Sequence, residues 1–208
     1  SDFGYSPADL TVPIVERLGG SVMGLNAYTS LKNGVYAEYG LYRAPSTRTL
    51  SRLGNDDAGM LLRSVLEGEG IDTSHLRTVN VPTGRAFINV DKHGENAIVV
   101  VAGANGLVGA ESNFVIPRSR VVLAQLEVPL STIEVAFSQA RALGAVTVLN
   151  PAPARELPKS LLSLADIVVP NETESAAIGG TSALMKLGVT TVVTTLGADG
   201  ATIEREQS

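Results

Sequence analysis

Short apolar runs alternate with segments of helical period along most of this chain. Val121-Val122-Leu123-Ala124-Gln125-Leu126 reads as a buried strand. Residues 131–143 follow with apolar positions at helical spacing, and Gly144 predicts the stop. Further strands are expected at 145–149, 167–169 and 191–195, and helices at 157–164, 172–178 and 183–187. This β-α-β-α-β order predicts an α/β fold. A mostly parallel sheet is flanked by helices, with right-handed crossovers.

The middle of the chain changes period. Residues 85–90 alternate, residues 91–95 read as a turn through Gly94, and residues 97–101 are apolar. That is a β-hairpin signature. Earlier, Pro13 interrupts an apolar stretch at 11–15, which favours a sheet edge, and Gly19-Gly20 and Lys32-Asn33-Gly34 are turn signals. Residues 201–203 begin one more strand.

Composition narrows the class. The 208 residues are 44% hydrophobic and 18% charged, which excludes a disordered chain. A net charge of -5 argues against nucleic acid as a partner, because neutralising phosphates needs a basic face. With Cys 0 and His 2, disulfides, thiolate metal sites and His-rich metal clusters are excluded. His75 and His93 are expected to be solvated. No apolar run approaches the roughly 18 residues of a membrane span, so no membrane partner is expected. The first ten residues lack a basic-then-apolar leader pattern, and the expected location is the cytoplasm. Neither a Walker-type loop nor a GxGxxG turn is present, and HExxH and Gly-x-Ser-x-Gly are also missing.

Polar residues recur where the predicted strands end. They are Gln125 and Glu127, then Asn150 before Pro151-Ala152-Pro153, then Asn171-Glu172-Thr173-Glu174, then Thr195 to Gly200. In open α/β sheets, ligands bind beyond the carboxyl ends of the strands. Asn and Asp also start turns, and Glu favours a helix's first turn. Spacing alone leaves a shared cleft and a set of local caps equally open.

These stretches resemble one family. Asn150-Pro151-Ala152-Pro153-Ala154-Arg155, Asp166 through Glu174, and Thr194-Thr195-Leu196-Gly197-Ala198-Asp199-Gly200 carry the resemblance. So do Gly54-Asn55-Asp56-Asp57-Ala58-Gly59, Gly70-Ile71-Asp72-Thr73-Ser74, Pro82-Thr83-Gly84-Arg85-Ala86, Gly94-Glu95-Asn96-Ala97-Ile98 and Gly103-Ala104-Asn105. From about residue 47 to 203 the chain is similar to carbohydrate kinases of the phosphofructokinase-B type, and within them to the ribokinases.

The resemblance implies a ribokinase-like sheet with a small β-sheet lid, built from segments about 10–31 and 84–101. Such lids pair between subunits, which implies a homodimer. The implied reaction moves the γ-phosphate of ATP to the 5-hydroxyl of D-ribose, with Mg2+ and a monovalent cation (K+). By the same resemblance Asp9, Gly34 and Glu127 contact the sugar, and Asn171, Thr195 and Gly197 serve the nucleotide. Glu174 supports magnesium.

The chain also departs from the family. Where the family has a Gly-Gly-Lys-Gly-Ala-Asn sugar loop, residues 31–36 agree only at Gly34. The family's Gly-Ala-Gly-Asp motif, which supplies the general base and anion hole, does not occur in the 208 residues. The expectation is therefore a C-terminally incomplete kinase, inactive as these residues alone. Two alternatives accompany it: a non-catalytic nucleotide- or sugar-binding homologue, and a kinase for another sugar or a nucleoside.

Overall fold

The structure is a computed structural model, and it describes residues 22–24, 29–31, 35–36, 48–90, 92, 96–111 and 113–206. Six parallel strands form most of the large sheet. They are β1 (Val22–Gly24), β4 (Arg48–Thr49), β9 (Val121–Gln125), β10 (Val146–Asn150), β11 (Ile167–Val168) and β12 (Thr191–Thr195). β13 (Ala201–Arg205) adds antiparallel to β12, giving the order β13-β12-β11-β10-β9-β1-β4. The strand order reverses at β1, which has β4 on one side and β9 on the other.

Strands buried on both faces need apolar residues in succession, and β9 and β10 have them. On one face Val122, Ala124, Leu149, Val168 and Val192 pack with Ile133, Ala136, Phe137 and Ala140. The last four line one stripe of α2 (Leu130–Ala142). On the other face Val121, Leu123, Val148, Ile167, Val169 and Val193 form a second cluster.

Three helices end in the same way. In α1 (Asp57–Gly68), α2 and α5 (Gly180–Lys186), a glycine with positive φ follows the C-cap: Gly70, Gly144 and Gly188. The next residue's N–H reaches back to the helix: Ile71 to the Leu66 carbonyl at 3.0 Å, Ala145 to Ala140 at 2.9 Å and Val189 to Leu184 at 3.3 Å. These are Schellman closures, and each joins two buried apolar side chains.

The expected helix at 157–164 is shorter, α3 (Lys159–Leu162), because Pro158 lacks an N–H and holds an extended backbone at the N-cap. The two helices expected at 172–178 and 183–187 are α4 (Glu172–Ala177) and α5, which begins at Gly180 directly after Gly179, whose φ is 91. A parallel pair, β5 (Ser51–Gly54) with β6 (Leu76–Val79), was not apparent from periodicity.

A smaller four-stranded sheet has the order β3 (Val35–Tyr36), β2 (Thr29–Leu31), β7 (Arg85–Val90), β8 (Asn96–Val101). Its hairpin, β7 with β8, lies where the alternation predicts it. β2 runs parallel to β7, and β3 pairs antiparallel with β2. Of the two segments expected to form a lid, residues 29–31, 85–90 and 96–101 enter this sheet. Residues 22–24 depart from that expectation and lie in the large sheet, laddered between β9 and β4. Among the described residues, no helix is long and apolar enough to cross a membrane.

Candidate functional site

Parallel pairing places the polar ends of β9, β10, β11 and β12 along one edge of the large sheet. Register sets Asn150 opposite Gln125. Three residues beyond the end of β11, Asn171 bridges to Thr195 in parallel sense, and the Thr195 N–H donates to the Pro170 carbonyl at 2.9 Å. The Leu126 N–H donates to the Ala152 carbonyl at 3.0 Å, which ties the loop after β9 to the loop after β10. The strand ends that look unrelated in sequence thus share one rim.

Asn171 and Glu174 form a complete capping box. The Glu174 N–H donates to Asn171 Oδ1 at 2.8 Å, and the Asn171 N–H donates to Glu174 Oε2 at 2.9 Å. These bonds use one oxygen of each side chain. Glu174 is 5% exposed. Burial pushes its carboxyl above the usual glutamate value, and the Asn171 N–H offsets this only in part.

Thr195 is buried at the end of β12. Gly197 opens a short 3-10 turn with φ +58, and a Cβ there would meet nothing within 4 Å. Its glycine is explained by backbone conformation and not by crowding within the chain. Glu127 is half-buried in the turn between β9 and α2. Asp9 and Gly34 lie outside the described residues, so the structure unites Glu127, Asn171, Glu174, Thr195 and Gly197 on one edge without the other two sugar candidates.

Among the described residues there is no group of three or more His, Asp or Glu side chains able to hold a metal. Glu174 alone suits a hard cation that arrives with phosphates and keeps its waters. The open Gly197 turn suits close approach of a nucleotide to backbone.

Two features are not evident from the sequence. The side chain of Asn150 is fully buried, and neither its Nδ2 nor its Oδ1 has a hydrogen-bond partner. The other is a network around Asp56, the N-cap of α1. Its carboxylate accepts from the Gly59 N–H at 2.9 Å, the Thr83 N–H at 3.0 Å and the Thr83 hydroxyl at 2.5 Å. Thr83 Oγ1 in turn accepts from the Gly54 N–H at 2.9 Å. Burial alone would raise the Asp56 carboxyl, but these donors and Arg85, 3.5 Å away, hold it below the usual aspartate value. The network pins the base of β7 to α1. A Cβ on Gly59 would lie 2.2 Å from the Gly54 carbonyl, so that glycine is set by close packing. The signal was present in Gly54 to Gly59 and in Pro82 to Ala86, but their joining spans 27 residues of sequence.

The pfkB family carbohydrate kinase profile matches residues 44–207. A ribokinase of Haemophilus influenzae is 37% identical over 217 residues, spanning 95% of this chain and 71% of that protein. A ribokinase of Staphylococcus aureus is 39% identical over 171 residues, spanning 74% of this chain and 56% of that protein. A structure of Arabidopsis thaliana ribokinase complexed with ribose and ATP superposes with a TM-score of 0.72 at 23% identity. It covers 89% of this chain and 75% of that one, which establishes the shared fold. Deoxyribokinase and fructokinase also occur among the relatives and neighbours. The rim of strand ends, the fold and the matched span agree: this chain belongs to the pfkB family of carbohydrate kinases.

Proposed function

We propose that this chain is the sugar- and nucleotide-binding part of an ATP-dependent sugar kinase, with the 5-hydroxyl of D-ribose as acceptor. The observation that carries the reading is the single rim at the carboxyl ends of β9, β10, β11 and β12, where Glu127, Asn150, Asn171, Glu174, Thr195 and Gly197 gather. When bound, ATP would supply the transferable phosphoryl group, and the cations Mg2+ and K+ would offset its negative charge.

The chain's residues then act by binding and orienting. Glu127, with Asp9 and Gly34, accepts from and packs against sugar hydroxyls. Asn171, Thr195 and Gly197 would seat the phosphates, and Glu174 would hold the ion, supplying a hard carboxylate oxygen to it. In the transfer, the acceptor oxygen bonds to the γ-phosphorus as the bond to the leaving nucleoside diphosphate breaks. The hydroxyl proton goes to a general base. The family's Gly-Ala-Gly-Asp base does not occur in the 208 residues, which supports the reading that they bind both ligands without turnover by themselves. The proposed setting is the cytoplasm, and the proposed assembly is a homodimer through the β7–β8 hairpin acting as lid.

The acceptor is tested against the chemistry of the relatives. Calorimetry with D-ribose, 2-deoxyribose and fructose, each with and without a non-hydrolysable ATP analogue, should show D-ribose bound most tightly. Asp9→Ala should weaken sugar binding and leave nucleotide affinity nearly unchanged. Tighter binding of 2-deoxyribose or fructose reassigns the acceptor. Binding of none of the three, or of no nucleotide, overturns the kinase reading. ADP formation by the 208 residues with D-ribose, Mg2+ and K+ overturns the binding-only reading while keeping the enzyme class.

A further inference from the structure

Asn150 ends β10 with no exposure to solvent, and both polar atoms of its carboxamide are unpartnered. Such atoms are costly to bury unpaired, and a leucine of similar size would avoid the cost entirely. The alternation of β10 sets Asn150 on the face of Val146 and Val148, away from α2. It is the polar end of an otherwise apolar row. Its strand neighbour in register is Gln125, and the loops that follow the two strands are tied by the Leu126–Ala152 hydrogen bond. Asn150 therefore ends the β9–β10 ladder, opposite a residue two before Glu127 in the neighbouring loop, and lies two seams from the Asn171–Thr195 bridge.

The chemistry of the open bonding positions limits the partner. A phosphate only accepts, and would satisfy Nδ2 but leave Oδ1 unpaired. A metal ion would satisfy Oδ1 and leave Nδ2. A hydroxyl group both donates and accepts, so hydroxyls of one polyol satisfy the pair. We propose that Asn150 is a substrate-positioning residue whose carboxamide binds hydroxyls of the acceptor sugar. This rests on the sugar-kinase reading above. An ordered internal water has the same hydrogen-bonding chemistry, and the experiment separates the two sources.

Asn150→Leu and Asn150→Asp are made in the full chain. Thermal unfolding without ligand is compared with calorimetric affinities for D-ribose and for the non-hydrolysable ATP analogue. The expected result is an Asn150→Leu protein that melts at or above the wild-type temperature. It binds D-ribose at least tenfold more weakly and the nucleotide within twofold of wild type. Asn150→Asp, which keeps the size but loses the donor, should also weaken D-ribose. An Asn150→Leu protein that melts lower or fails to fold, with D-ribose affinity unchanged in Asn150→Asp, identifies a structural water and overturns the assignment. If the wild-type chain binds the nucleotide but no sugar, the parent reading and this assignment fail together. If wild-type sugar binding survives both substitutions, only this assignment fails.

Discussion

Asn171 and Glu174 hold each other's backbone: the amide oxygen of one receives the N–H of the other at 2.8 Å, and the carboxylate returns the bond at 2.9 Å. The same two residues are the ones proposed for phosphate and magnesium. A local cap and a ligand site are therefore not competing explanations here. The box fixes the side chains on a six-residue helix that has little stability of its own, and orients the two groups the box does not use, Glu174 Oε1 as an acceptor and Asn171 Nδ2 as a donor.

The buried Glu174 gives this a pH signature. Its folded-state carboxyl titrates above the ordinary value, so the folded chain holds the proton more tightly than the unfolded one. Stability then falls as pH rises from the ordinary glutamate range through the raised folded value. Glu174→Gln keeps an acceptor for the Asn171 N–H and removes the buried charge. We expect it to melt at or above wild type near neutral pH, with the difference disappearing in acid. Magnesium-dependent turnover of the complete enzyme should drop at least tenfold. Thermal melts across pH, beside a coupled assay, check both halves, and a variant that melts lower at every pH contradicts the stability half.

Asp56 has the opposite sign. Its carboxyl is held below the usual value, so the unfolded chain takes up the proton first as pH falls, and the stability it contributes is lost in acid. Thr83→Val preserves shape but strips the hydroxyl that donates to Asp56 and accepts from Gly54. With Thr83 only 1% exposed, the loss should be about 1–3 kcal/mol near neutral pH. The gap from wild type should narrow below the aspartate range. Denaturant titrations at two pH values measure it, and a constant gap would show that the Asp56 charge plays no part.

Helix ends give a cleaner backbone test. Gly144 sits at φ +74, and a Cβ added there would meet nothing within 4 Å, so Gly144→Ala changes conformational cost and no packing. The expected destabilisation is about 1–2 kcal/mol. Moving the same substitution to Gly68, which has open space and lies within α1, should instead be neutral or stabilising by up to about 1 kcal/mol. Equal effects at the two sites, read by chemical denaturation, would refute the Schellman account.

Legibility in the sequence followed the range of the physics. Periodicity located β9, α2, β10, β12 and the β7–β8 hairpin, because each is decided by neighbours a few residues apart. The short helices were misjudged at their ends: Pro158 delays the one expected from 157, and the one expected from 183 begins three residues earlier, at Gly180. The β5–β6 pair and the Asp56–Thr83 network were hidden because their partners are far apart in sequence. Asn150 was visible as a strand-end residue, but its unpaired burial is a property of the packed fold that no neighbouring residue in sequence announces.

The smaller sheet offers the last prediction. β8 is its edge strand, and Ile98, Val99, Val100 and Val101 are about half exposed on both faces of that strand, with Phe87 beside them on β7. An edge this apolar is a template for pairing with another chain unless something covers it. The homodimer proposed above would bury it against a second copy, and a lysine there would place an unpaired charge in that apolar interface. Val99→Lys should therefore weaken self-association at least tenfold while leaving the thermal melt of the monomer nearly unchanged, because the side chain packs against little within its own chain. Sedimentation velocity over a concentration series reads this directly. A wild-type chain that stays monomeric at high micromolar concentration rules out the lid dimer. A Val99→Lys dimer as tight as wild type would move the interface away from β8.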